Sequence, residues 1–314
     1  MRAMKMLIKN PPFEIAEGLW MLGTSEYPVF LAMDQNEGAI FEGGVGADGP
    51  VVKEQLAQLD IAADLIRQVI ITHAHPDHVM AIPAFRAMFE GVTVCASETA
   101  AKTLTIEKAV KFFAKIDGIL TESLIKAGSI TEEHRPGLMT ESQITVDQIL
   151  AEGDTITVGG LKFDVLAMPG HSDCSLSFHE PVAGFVIVSD STGFYIPDYN
   201  YWWPGYFTDY QAYIESMRRL ADLDAKVVCL SHNGVIKGSD EVSAYFDDAI
   251  AATEAYHERI LREIDAGKSP EELAGQLGTE VYEKIPLLPL DFFQKNCALL
   301  VKYSMEYAQK NNGL

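Results

Sequence analysis

The stretch Thr72-His73-Ala74-His75-Pro76-Asp77-His78 constrains this chain more than any other feature. It closes a β-branched run, Ile66 to Thr72, of the kind that forms a buried strand. Alternate side chains of an extended segment share a side, so His73 and His75 project together and can reach one metal ion. Asp77 and His78 lie past the turn expected at Pro76 and can address a second ion beside the first. Neutral imidazole and carboxylate are donors that zinc and iron(II) prefer. Three more donors follow in the same setting. Pro169-Gly170-His171-Ser172 comes straight after a strand ending at Met168, Asp190 closes the apolar run Phe185 to Val188, and His232 closes Lys226 to Leu230. Each sits just beyond a strand, where the edge of a sheet gathers loops into one site.

The remaining pattern supports an α/β fold. Short strands are expected at Gly18 to Gly23, Tyr27 to Asp34 and Gly38 to Phe41, then a helix from about Pro50 to Leu59. A helix to Phe89 and a strand at Val92 to Ala96 precede a long helical region, Ser97 to about Ala127, where Leu104, Val110, Phe113 and Ile116 form a stripe that packs on something. Asp154 to Met168 alternates around Gly159-Gly160 and reads as a hairpin, with strands after it at Ser175 to Phe178 and Gly184 to Val188. A helix capped by Thr208 or Asp209 runs to Leu223, and Lys226 to Leu230 is read as the last strand. Everything after Ser239 has helical spacing, with a capped start at Ser269 and a third helix from about Phe293 to Ala308. Residues 1–238 are therefore expected to form the α/β domain, with a helical insert at about 97–135, and residues 239–314 a helical extension that caps the site.

The order H-x-H-x-D-H, Gly-His, strand-end Asp and final His resembles the metallo-β-lactamase superfamily, over roughly residues 12 to 236. That resemblance implies an αββα sandwich in which His73, His75 and His171 bind one metal, Asp77, His78 and His232 bind a second, and Asp190 bridges them. Two departures stand out. Many members carry Asp-x-Gly at an early strand end, where this chain has Glu42-Gly43-Gly44, so a longer carboxylate is expected to orient a ligand histidine differently. The diiron oxygen-reductase branch carries Glu where this chain has His75, which favours hydrolysis over redox chemistry. The stretches Tyr27 to Leu31, Glu42-Gly43-Gly44, Ala96 to Thr99 and Gly170 to Asp173 are similar to the Pseudomonas quinolone signal response thioesterase branch, and the chain also resembles glyoxalase II-type members. This likeness implies an acyl thioester substrate and iron as a native metal.

The expected chemistry is hydrolysis of an acyl thioester or ester by a metal-bridging hydroxide, with two divalent ions (zinc or iron, manganese a further candidate) and Asp77 as catalytic carboxylate. Phe194 to Phe207 is aromatic at eight of fourteen positions against 10% for the chain, and Tyr195, Tyr199, Trp202 and Trp203 are expected to line an apolar cleft for an acyl or aryl group. Two rivals are a mononuclear iron dioxygenase of the persulfide-oxidising kind and a signalling protein acting through helical surfaces. The first uses fewer second-metal ligands than the Asp77, His78 and His232 present here. Asp190 stands where many β-lactamases place Cys, which weighs against lactam cleavage.

Composition narrows the partners. A net charge of −21 repels phosphate backbones and argues against a nucleic-acid substrate. No apolar run approaches a membrane span, and Met1 to Asn10 lacks the apolar core of a secretory signal. Cys95, Cys174, Cys229 and Cys297 form no C-x-x-C pair and read as reduced core thiols of a cytoplasmic protein. The expected partners are thus a small acyl substrate and, through the helices, a second copy in a homodimer. His134, His179 and His257 are read as structural or solvated, His257 on a partly exposed helix face.

Overall fold

Period-two alternation divides the strand residues between two environments, and that division builds the molecule. The computed structural model describes residues 7–8, 10–137 and 144–312, so most of Met1 to Asn10 lies outside the described residues. One sheet runs β2 (Phe13–Ala16), β3 (Leu19–Gly23), β4 (Pro28–Met33), β5 (Gly38–Phe41), β6 (Ile66–Ile70), β7 (Thr93–Ser97) and β8 (Gln148–Leu150), in spatial as in chain order. The other has the order β1 (Leu7–Ile8), β16 (Val235–Lys237), β15 (Val227–Cys229), β12 (Phe185–Ile187), β11 (Leu176–Glu180), β10 (Leu161–Ala167) and β9 (Thr155–Val158). On β4, Phe30 and Ala32 enter the cluster between the sheets while Val29 and Leu31 face the helices outside. Val227 and Cys229 of β15 likewise face inward, and Val228 and Leu230 outward. Inward-facing Phe41, Phe163 and Phe178 meet at the centre, with ring centroids 4.7 and 5.2 Å apart.

Helices cover both outer faces. Strands β5 to β8 pair in parallel and need crossovers, supplied by α1 (Asp48–Gln58), α2 (Ile82–Met88), and α3 (Glu98–Leu104) with α4 (Glu107–Ala127). On the second sheet lie α5 (Tyr210–Ala221), α6 (Ser239–Asp265), α7 (Pro270–Tyr282) and α8 (Leu290–Asn312), whose buried residues share one cluster with the outer faces of β12 and β15. This is the αββα sandwich with a helical insert and a helical C-terminal region. Among the described residues no helix is long and apolar enough to cross a membrane.

Three local readings differ from the structure. The helical region after Ser97 is two helices, because the Thr105 hydroxyl donates to the Lys102 carbonyl at 2.7 Å and Ile106 turns extended. The sheet does not end at Leu230: Asn233 and Gly234, at φ 64° and 127°, turn the chain back into β16, which pairs antiparallel with β15. Asn-Gly is a strong hairpin signal that a three-residue strand made easy to overlook. His257 is buried and stacks on Tyr210 at 4.0 Å, because the tyrosine ring comes from α5, distant in sequence.

Candidate metal centre

The carboxyl ends of β6, β10, β12 and β15 meet at one edge of the sandwich. There the Leu176 N–H donates to the Thr72 carbonyl at 2.8 Å, tying the two sheets together. His73 and His75 follow β6, and the Pro76–His78 turn carries Asp77 and His78. His171 follows β10 on a bend opened by Gly170 at φ 117°, where any Cβ would collide with the Tyr213 backbone. Asp190 lies in the short helical turn Ser189–Thr192 after β12, and His232 lies after β15.

All seven side chains converge in two groups, His73, His75, His171 and Asp190 in one and Asp77, His78 and His232 in the other, with ligand atoms in each within 4.8 Å of one another. In the first group His75 Nδ1 stands 3.0 Å from both His73 Nε2 and His171 Nε2. Asp190 Oδ2 is 3.3 Å from His171 Nε2 and 3.8 Å from His73 Nε2. In the second group Asp77 Oδ2 is 3.5 Å from His78 Nε2 and 3.8 Å from His232 Nε2. The other oxygen of Asp190 joins it, with Oδ1 3.6 Å from His78 Nε2 and 3.3 Å from His232 Nε2. One carboxylate thus turns an oxygen toward each group.

A second layer fixes the rings. His78 Nδ1 donates to Glu42 Oε2 at 2.9 Å, His171 Nδ1 to the Gly205 carbonyl at 2.8 Å, and His232 Nδ1 to the Glu26 carbonyl at 3.0 Å. Each bond places the proton on Nδ1 and leaves the Nε2 lone pair aimed at the centre. His73 Nδ1 faces the hydroxyls of Ser189 at 3.0 Å and Thr72 at 3.2 Å. Glu42 is 1% exposed and also accepts from Thr72 Oγ1 at 3.0 Å and Ser231 Oγ at 3.3 Å, so the longer carboxylate does reach a ligand histidine. Phe194 stacks on His232 at 4.3 Å and Tyr27 meets it edge-on at 5.3 Å, which holds that ring from both sides.

The electrostatics fit cations. Burial, reinforced by neighbouring imidazoles, brings His75 down to about 3 and holds His73 well below its ordinary range; burial also lowers His171. Burial pushes Asp77 up, yet His78 and His232 together bring it down to about 2. Asp190 is held low by the same two rings and His171 against its own burial. These are the neutral imidazoles and ionised carboxylates that metal binding requires. Burial pulls His78 and His232 down, but Asp77, Asp190 and, for His78, Glu42 outweigh it and raise both, so this pocket attracts positive charge. His78 Nε2 and Asp190 Oδ1 are buried with no hydrogen-bond partner, which leaves both free to ligate. The donor set therefore fits a pair of divalent ions. Cys174 belongs to neither group: its sulfur accepts the Ala74 N–H at 3.3 Å and lies 3.3 Å from Ser172 Oγ.

A cavity of ≈390 Å³ opens on His75, Asp77, His171, Asp190 and His232. Of the four aromatic residues expected there, Trp203 lines it. Tyr195 and Trp202 sit in a small hairpin, β13 (Phe194–Ile196) and β14 (Tyr201–Trp203), where their rings pack on each other at 4.2 Å and on Tyr245 at 6.2 and 6.0 Å. Tyr199, at the hairpin tip, is 56% exposed, with the Lys284 ammonium 5.9 Å from its ring centroid. More of the wall comes from Phe194 on the hairpin and Phe207 just after it, from Phe113 and Ile116 on α4, from Leu288 just before α8 and from Phe293 within it. The stripe on α4 was legible as a packing face, but nothing local showed that it faces a cavity.

A family model described as Metallo-beta-lactamase superfamily matches residues 26–232, a span that includes all seven candidate ligands. A metallo-beta-lactamase fold-containing protein of Sulfurisphaera tokodaii is 27% identical over 177 residues, 55% of this chain and 62% of that protein. A hydroxyacylglutathione hydrolase of a Jannaschia species is 28% identical over 163 residues, 52% of this chain and 46% of that enzyme. The chain thus spans less than two thirds of either relative. Among solved structures, a metallo-beta-lactamase family protein of Thermus thermophilus superposes with a TM-score of 0.66 at 19% identity, covering 95% of each chain.

Proposed function

The chain belongs to the metallo-β-lactamase superfamily, and from that premise we propose that it is a dinuclear metal-dependent hydrolase cleaving an acyl thioester or ester. The observation that carries this reading is Asp190, whose Oδ2 faces His73 and His171 while its Oδ1 faces His78 and His232. The two groups would hold a pair of divalent ions, zinc or iron with manganese a further candidate, which would supply a water acidified toward neutrality and a Lewis acid for an acyl carbonyl. Completeness of the second group, Asp77, His78 and His232, ranks the mononuclear dioxygenase reading below this one.

The chain's own residues then orient and exclude. Asp77 is ionised and 24% exposed, so its free oxygen can orient the water while the carboxylate stays in the ligand set. Trp203 and Phe207 keep bulk water from the acyl group. The water oxygen bonds to the acyl carbon, the bond to the leaving group breaks, and the protons of the water pass to solvent and the leaving group. Tyr27 meets the His232 ring edge-on at 5.3 Å, and burial followed by the charge of Asp77 raises its hydroxyl well above its ordinary range, so it is a poor acid. A thiolate, with a conjugate-acid pKa of about 8.5, leaves without such help far more readily than an alkoxide. That asymmetry favours a thioester, as does the likeness to quinolone signal response thioesterases and the name of the Jannaschia relative.

The test is metal analysis of anaerobically purified protein followed by a panel of acyl-thioester, ester and lactone substrates. Two equivalents of metal and thioester turnover lost on chelation are expected, with Asp190→Asn removing both. One equivalent of iron, with oxygen consumed in the presence of a thiol persulfide and no ester or thioester cleavage, would overturn the proposal.

A further inference from the structure

The cavity is lopsided. One end is polar and belongs to the metal ligands; the far end lies between α4 and the segment that leads into α8. Phe113 and Ile116 line it from α4, Leu288 from the α7–α8 connection and Phe293 from α8. These two walls come from the insert and the C-terminal helices, outside the strands that carry the ligands. Phe112, at the same lip of α4, is 51% exposed, an apolar ring left at an entrance. Apart from the metal ligands, Lys295 is the one charged side chain among the described residues lining the cavity. Its ammonium is 77% exposed and paired with Asp291 at 2.7 Å. A charged group drawn deep into this cleft would therefore lose its hydration and find no partner.

We propose that this cleft is the acyl site and that it selects an uncharged, apolar acyl group, alkyl or aryl, rather than a small hydroxyacyl group. The inference rests on the hydrolase reading for its chemistry but on the cleft alone for its selectivity. A volume of ≈390 Å³ lies within the range of small-molecule pockets, so the walls can enclose a chain of several methylenes. The preference is opposite to the one that the name hydroxyacylglutathione hydrolase describes for a relative, whose acyl group is polar.

Two measurements separate the claims. Binding of neutral, non-hydrolysable methyl ketones, from acetone to 2-dodecanone, is followed in the metal-loaded protein by tryptophan fluorescence, since Trp203 lines the cleft. Affinity should rise about three- to fourfold per methylene until the cleft is full. Ile116→Trp and, from the other wall, Leu288→Trp should each flatten that dependence. Turnover of acetyl, octanoyl, phenylacetyl and 2-hydroxypropanoyl thioesters of one common thiol gives the second readout. The octanoyl-to-acetyl ratio of kcat/KM should exceed tenfold in the native chain and fall at least tenfold in either variant. Ketone binding that is independent of chain length, or variants that leave it unchanged, would overturn the inference even if thioesters are hydrolysed. So would a 2-hydroxypropanoyl thioester turned over faster than the octanoyl one. Graded ketone binding without turnover of any thioester or of the matching esters would uphold the apolar cleft and sink the hydrolase reading instead.

Discussion

Glu42→Gln probes whether the supporting layer of the site acts on one metal position more than the other. The native carboxylate serves three donors, His78 Nδ1 at 2.9 Å, Thr72 Oγ1 at 3.0 Å and Ser231 Oγ at 3.3 Å. Glutamine has the same shape but keeps one acceptor oxygen and turns an amide NH₂ toward a donor, so at least one of these bonds is lost. A bond to a charged group contributes about 1.5–3 kcal/mol and a neutral one about 1 kcal/mol. His78 would keep its place but at best exchange a charged acceptor for a neutral amide oxygen, which loosens the hold on its ring. Replacing such an outer partner typically costs about 10- to 100-fold in metal affinity, or roughly 1.4–2.8 kcal/mol. The loss should be one-sided: none of the three bonds reaches His75 or His171, and His73 keeps the Ser189 hydroxyl at 3.0 Å even if Thr72 reorients. Calorimetric titration of metal-stripped protein with zinc should therefore show one step weakened about 10- to 100-fold and the other by less than about threefold. Equal weakening of both steps, or of neither, in a variant with an unchanged circular dichroism spectrum would refute the reasoning.

Two further outcomes follow from buried groups outside the ligand set. Tyr213 is fully buried, accepts the Gly205 N–H at 3.2 Å and donates to the Asp190 carbonyl at 3.3 Å, so Tyr213→Phe strands the Gly205 N–H and leaves the Asp190 carbonyl with the Gly193 N–H alone. Calorimetric melting should show about 2 kcal/mol of lost stability and a smaller metal-induced rise in Tm, because Gly205 also holds His171. Asp117 is raised to about 6 by burial first, the Asp77 charge adding to it and the Gly46 N–H at 2.7 Å opposing it. The folded state then holds this proton more tightly than the unfolded chain, so its contribution to stability falls as pH rises from about 4 to 6 and stays low above that. Relative to the native chain, Asp117→Asn should gain about 2–3 kcal/mol between pH 4 and pH 7 in denaturant titrations, and a pH-independent difference would contradict it.

What was legible in the chain and what was not divides by the kind of atom involved. The ligands could be found because imidazole and carboxylate are uncommon at strand ends, and four of them fall within six residues at His73 to His78. The central strands could be found because both their faces are buried, which leaves apolar runs such as Phe185 to Val188, and β9 and β10 because they alternate with one face exposed. The partners of His171 and His232 could not, since Gly205 and Glu26 contribute only backbone carbonyls, and every residue has one. The aromatic segment was partly misleading for a related reason. Tyr195 and Trp202 alternate with Phe194 and Trp203 on the two faces of a hairpin, so one pair faces the helix at Tyr245 and the other the cavity. Composition marks such a segment as apolar, but only the pairing register decides which rings reach the cavity.

The same division explains how the chain can hold its chemistry constant while its selectivity is set elsewhere. Every ligand stands on a loop between His73 and His232 whose position is dictated by a paired strand end and, for His78, His171 and His232, by a bond behind the ring. A shift of β12 alone would break the 3.3 Å approaches that Asp190 makes to both groups at once. The cleft walls carry no such constraint. Phe113 and Ile116 belong to a crossover helix, and Leu288 and Phe293 to a stretch beyond the last strand, so none of them stands on a loop that carries a candidate ligand. On the proposed reading, selectivity would belong to α4, the α7–α8 connection and the start of α8, and reactivity to the sheet edge. That separation is what makes a wall substitution and a ligand-support substitution expected to fail in different assays.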